Sequence, residues 1–103
     1  MITAADADRY REQGYLCIPN LLPPREIEAI VAAANQVMDG ARRLERSDDI
    51  LDLDDDHRPD HPKVRRIKNP NQHHAVFAEL ARNPRILDVL EPLLGPDIRF
   101  HHS

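Results

Sequence analysis

Apolar positions along the chain suggest helices in four places and short extended segments in three, of which only the last alternates strictly. Residues 4–13 read as a short helix: Thr3 with Asp6 three positions on is a variant of the capping box, and Gly14 suits the position after a helix. Residues 15–18, Tyr-Leu-Cys-Ile closed by Pro19 and Asn20, read as a short strand. Pro24 then opens the clearest helix, in which Ile27, Ile30, Val31, Ala34, Val37 and Met38 recur at helical spacing and define a face for the core. Asp39-Gly40 offers a stop, although 41–46 suit a continuation. Two helices close the pattern, 74–82 and 84–91, separated by Asn83-Pro84 as N-cap and first-turn proline and expected to pair as a hairpin. Pro92 should kink or restart the second, and Leu94-Gly95-Pro96 ends it.

Between these helices the character changes. In 47–62, seven of sixteen residues are aspartate, and Ile50, Leu51 and Leu53 keep no sustained period, so the segment reads as an acidic loop. A strand is predicted over 63–68, where Val64 and Ile67 sit among Lys63, Arg65, Arg66 and Lys68. A further strand is predicted over 98–103, with Ile98, Phe100 and His102 sharing one face by period-two alternation. The fold class is therefore α+β, mainly helical, with two or three short strands.

Composition narrows the function classes. A chain of 103 residues holds one domain at most, and its four aromatics, Tyr10, Tyr15, Phe77 and Phe100, make an aliphatic core and exclude a base-stacking platform. A net charge of −4 argues against a general nucleic-acid binder. No run of 18 apolar residues and no signal-like N-terminus occurs, so neither membrane insertion nor export is expected. Cys17 has no partner for a disulfide and reads as a small buried hydrophobe, which fits the reducing cytoplasm.

Six histidines among eighteen carboxylates invite a metal site, and spacing tests it. A non-haem iron facial triad needs two histidines and a carboxylate, often starting with His-x-Asp or His-x-Glu on a strand. The residues two past the histidines are Pro59, Lys63, Ala75, Val76 and Ser103, so the pair is absent. His57 and His61 are four apart, but Pro59 breaks a zinc-binding helix between them. Asp52, Asp54 and Asp56 start like a calcium loop, yet His57 and Lys63 stand where glycine and glutamate are needed. His73 and His74 read as surface residues at a helix start. Single glycines leave no phosphate-cradling loop, and Arg65, Arg66 and Lys68 form the best anion-binding group, with a charged edge strand as the simpler reading.

These residues taken together resemble the N-terminal part of the phytanoyl-CoA dioxygenase family, Fe(II)- and 2-oxoglutarate-dependent oxygenases. The matching pieces are Gly14-Tyr15-Leu16 with Pro19-Asn20-Leu21-Leu22-Pro23-Pro24, then Val64-Arg65-Arg66-Ile67-Lys68, Ile86-Leu87-Asp88-Val89, and most strongly Leu93-Leu94-Gly95-Pro96-Asp97-Ile98-Arg99-Phe100-His101-His102-Ser103. The resemblance implies the mainly helical opening portion of a double-stranded β-helix, or jelly roll, so that 1–103 is expected to be one incomplete domain. It implies a full-length enzyme that hydroxylates a small organic substrate with Fe(II) and 2-oxoglutarate, whose iron ligands lie outside this chain. No catalytic, cofactor-binding or metal-binding residue is therefore assigned, the chain alone is expected to bind neither cofactor, and it should be inactive alone. His102, Arg65 and Lys68 are the candidate pocket-lining residues. The competing reading is a small helical protein-interaction module that docks through the apolar stripe of its second helix or the edge of its final strand.

Overall fold

The computed structural model describes residues 2–103. Helix α1 (Ala4–Gln13) starts at the predicted box: the Thr3 N–H donates to Asp6 Oδ2 at 2.9 Å and the Asp6 N–H donates to Thr3 Oγ1 at 3.1 Å. It stops at Gly14, whose φ of 84° no side chain favours and whose N–H reaches the Tyr10 carbonyl at 2.7 Å. Residues 15–18 form no strand, since no neighbouring edge receives them, and Tyr15 and Cys17 are exposed rather than buried. Helix α2 (Pro24–Met38) begins at its proline and tightens at Asp39–Arg43 into a 3-10 turn, so Gly40 does not end it. Helices α3 (Ala75–Leu80) and α4 (Pro84–Leu94) are capped by His74 and Asn83. Helix α4 runs through Pro92 without restarting: the proline stands near the helix end, and the Gly95 N–H still closes on the Glu91 carbonyl at 2.8 Å. The two do not pair as a tight hairpin, because α3 packs on α2 while α4 packs on α1. Glu26 fastens the start of α2 to the start of α4 through Arg85 Nη1 at 2.7 Å and Asn83 Nδ2 at 3.2 Å.

The acidic segment is not structureless. Strand β1 (Leu51–Leu53) lies inside it and pairs antiparallel with β2 (Val64–Ile67), Leu51 opposite Ile67, Asp52 opposite Arg66 and Leu53 opposite Val64. Three residues are too few to show a period in sequence, yet their alternation is complete: both leucines are buried, and Asp52 faces outward. Asp48 starts the strand as a turn residue, its Oδ1 accepting the N–H groups of Ile50 and Leu51 at 2.9 and 2.8 Å. Ser47 adds a bond from the Leu53 N–H at 2.9 Å. Leu51 and Leu53 pack with the wholly buried Ala41 from the 3-10 turn, and Val37, Leu44, Ile50, Val64 and Ile67 surround them.

His57 holds the loop of this hairpin to the core. Its Nδ1 accepts the Lys63 N–H at 3.0 Å, which puts the ring proton on Nε2, and Nε2–H donates to the Leu44 carbonyl at 2.7 Å. A buried imidazole thus satisfies two backbone groups from segments 19 residues apart (Leu44 and Lys63). The chain exposes 7855 Å², against about 5,900 Å² for a compact monomer of its mass. Its radius of gyration is 16.9 Å where about 13 Å is usual. Part of α2 explains this: Ala33 is buried, but Ile27 and Val31, on the predicted core stripe, are 45% and 53% exposed.

Three outcomes follow from this core. Leu51→Ala truncates the more buried of the two core leucines and is expected to cost about 3 kcal/mol in denaturant unfolding. His57→Ala strands the Leu44 carbonyl and the Lys63 N–H, and should cost about 2 kcal/mol or more. The backbone N–H groups of Leu51 and Ile50 hold the Asp48 carboxyl below the usual carboxylate range. Its contribution is therefore complete above about pH 4, the ordinary aspartate value, and fades as pH falls through the lower folded-state value. Amide exchange at Leu51 should accelerate on acidification beyond the intrinsic rate change, and Asp48→Asn should blunt that response.

Candidate functional site

Of the three candidate pocket residues, two lie on the hairpin and one on the final segment. Arg65 is the extra residue of an irregularity in β2, since Asp52 faces Arg66 while the next residue, Leu53, faces Val64. A bulge re-aims its side chain, and Arg65 Nε reaches Asp54 Oδ1 at 3.3 Å with Nη2 3.8 Å from Asp55. Arg66 Nη2 meets Asp52 at 2.8 Å, Lys68 Nζ meets the same carboxylate at 3.1 Å and also the Asp48 carbonyl, and Lys63 pairs with Asp56. Basic and acidic stretches that read separately in sequence therefore neutralise one another across the hairpin. The Lys68 ammonium and then Arg66 hold the Asp52 carboxyl below its ordinary range, Lys63 does the same to Asp56, and Asp56 in turn raises Lys63. These pairs are solvent-facing, so each contributes little by itself to stability, but together they fix which side of the hairpin carries charge.

The final segment, expected as a strand, has no regular secondary structure and joins no sheet, because among the described residues β2 pairs with β1 and no strand lies alongside 98–103. Ile98 and Phe100 turn toward α4 and line a groove of about 460 Å³ with Ile86, Leu87, Leu90 and Leu94. His102 is exposed and meets the His101 ring edge-to-face at 4.7 Å. The end of the segment is tied to the end of β2: the Asn69 N–H donates to the Ser103 carbonyl at 3.0 Å. Lys68 and His102 thus stand next to the two ends of one hydrogen bond, while Arg65 lies apart on the bulge.

Both nitrogens of His57 are committed to backbone groups, and His74 likewise accepts the Val76 N–H at 3.1 Å and donates Nε2–H to Gln36 Oε1 at 2.8 Å. Neither has a free lone pair for a metal. Among the described residues no group of three or more His, Cys, Asp or Glu is arranged to hold a metal ion. The residues present do not fit an iron centre. The structural duties of Asp48, His57 and His74 were missed in sequence. A signal existed for two of them: an aspartate two residues before Ile50-Leu51 is a turn former, and a residue with a ring acceptor directly before Ala75 can cap. For His57 no local signal exists, because its partners are distant in sequence.

Comparison with known proteins supplies what the side chains do not. Among curated relatives, a probable alpha-ketoglutarate-dependent hypophosphite dioxygenase of Stutzerimonas stutzeri is 26% identical over 94 residues, covering 91% of this chain and 33% of the relative. An ectoine dioxygenase of Streptomyces avermitilis is 28% identical over 104 residues, covering 99% of this chain and 32% of the relative. The chain thus spans about a third of the length of the relatives it matches. No solved structure matches it significantly. Among the described residues no helix is long and apolar enough to cross a membrane. The family model described as Phytanoyl-CoA dioxygenase (PhyH) matches residues 10–103, nearly the whole length, and the chain belongs to that family.

Proposed function

We propose that this chain is the helix-rich opening third of an Fe(II)- and 2-oxoglutarate-dependent dioxygenase whose iron ligands and 2-oxoglutarate cradle come from the rest of the jelly roll. The observation that carries the reading is the joint one: a family match over 10–103 on a chain whose described residues hold no cluster of His, Cys, Asp or Glu arranged for a metal, with His57 and His74 committed to hydrogen bonds within the fold. Its large exposed area supports the same reading, as does the outward ridge of Ile27 and Val31, because surface of this kind is covered in a finished domain. Hypophosphite and ectoine, for which the two relatives are named, are small and polar, which favours a small-molecule substrate. Iron and 2-oxoglutarate would supply the oxidising chemistry. This chain would contribute scaffold and pocket wall.

Within that reading His102 is the leading wall residue, since it is exposed and paired only with His101. Arg65 and Lys68 follow it, because aspartates already neutralise them and an anionic substrate would have to displace Asp54 or Asp52. A second reading keeps the chain as an interaction module that docks through Ile27 and Val31 on α2. Titrating Fe(II) with 2-oxoglutarate into the purified chain should give no stoichiometric binding, and tight one-to-one binding would overturn the opening-third reading. In an enzyme carrying the complete domain, His102→Ala should lower kcat/KM by about tenfold or more, equivalent to about 1.4 kcal/mol of transition-state stabilisation, and unchanged turnover would remove His102 from the pocket.

A further inference from the structure

We propose that residues 98–103 act as a strap that couples the hairpin to the α3 and α4 end of the molecule, with Asn69 and Phe100 as its two fastenings. At one end, the last hairpin bond runs from the Lys68 N–H to the Ile50 carbonyl at 2.8 Å. Asn69 follows with φ 47° and ψ 56°, a left-handed conformation that turns the chain out of the ladder. Asparagine tolerates it where a branched side chain does not. Its N–H is the last donor before Pro70, which has none, and it goes to the strap rather than to β1. Ser103 Oγ adds a bond to Asn71 Oδ1 at 2.8 Å, so one residue of the strap holds both sides of the turn.

The other fastening is apolar. Phe100 lies where two grooves meet, one shared with Leu87, Leu90 and Leu94 of α4, the other with Pro70, Phe77 and Ala81. A single half-exposed ring therefore borders both grooves, with α4 along one and α3 and the turn that Asn69 opens along the other. Among the described residues the hairpin makes no extensive packing of its own on α4. Order at residue 69 should then depend on a side chain 31 positions away, which a simple turn would not show. The strap stands whether or not the oxygenase reading holds, since nothing in it needs metal or substrate.

Amide exchange of the full chain, followed by NMR, tests the coupling. The Asp54 N–H, bonded to the Lys63 carbonyl at 2.9 Å, reports the hairpin in the same sample. Phe100→Ala is expected to raise exchange at residue 69 at least tenfold while Asp54 keeps its protection. Asn69→Gly, which accepts the left-handed backbone, should stay within about threefold of the parent at that amide. Asn69→Val should lose it. Unchanged protection at residue 69 in Phe100→Ala, or equal loss at 69 and 54, would overturn the strap, because the first denies the coupling and the second assigns the loss to general unfolding.

Discussion

The pairing of Leu51–Leu53 with Val64–Ile67 is the constraint on which the middle of this molecule depends, because one register decides two things at once. With side chains alternating across a strand, setting Leu51 and Leu53 beneath Ala41 puts Asp52 on the outer face, where Arg66 and Lys68 wait. A slip by one residue would bury an aspartate and expose two leucines. Asp48 fixes the start of β1 and His57 fixes the loop beyond it, so the register is held at both ends as well as by its own hydrophobic pattern.

The rest of the molecule is arranged around that small core rather than through it. Helix α2 reaches it only at Val37 and through the turn that follows, and its earlier apolar positions face other helices or solvent. Glu26, Asn83 and Arg85 join α2 to α4 by polar contacts, which set orientation without burying much area. The result is a body 50 Å long with six buried apolar side chains among the described residues, too few for an ordinary domain of this length. That openness belongs to a family member that spans about a third of the length of the relatives it matches.

Local chemistry made the helices legible. The Thr3 box, Gly14, Pro24 and the Asn83-Pro84 step act through neighbours within four residues, and each does in the fold what its sequence context suggests. Strands needed partners that no window contains. Residues 15–18 have the composition of a strand and no edge to join, whereas β1 has unpromising composition and a good edge in β2. The candidate site divides in the same way. The basic group of 63–68 was visible as charge, but its aspartate partners lie up to 16 residues upstream, so its occupation by Asp52, Asp54, Asp55 and Asp56 was not. The hydrogen bonds that occupy both ring nitrogens of His57 and His74 come from partners that no residue spacing reveals.

The mutual neutralisation across the hairpin also changes how the protein looks from a distance. Between residues 47 and 68 there are seven aspartates and five lysines and arginines, so a stretch that seems intensely acidic carries a residual charge of only about −2. Beyond a Debye length of about 8 Å at physiological salt, an approaching ion meets little net field from this face. Long-range steering by the hairpin is thereby small for anions and cations alike, and any discrimination it exerts must be short-ranged, made at contact by whichever carboxylate or guanidinium a visitor can displace.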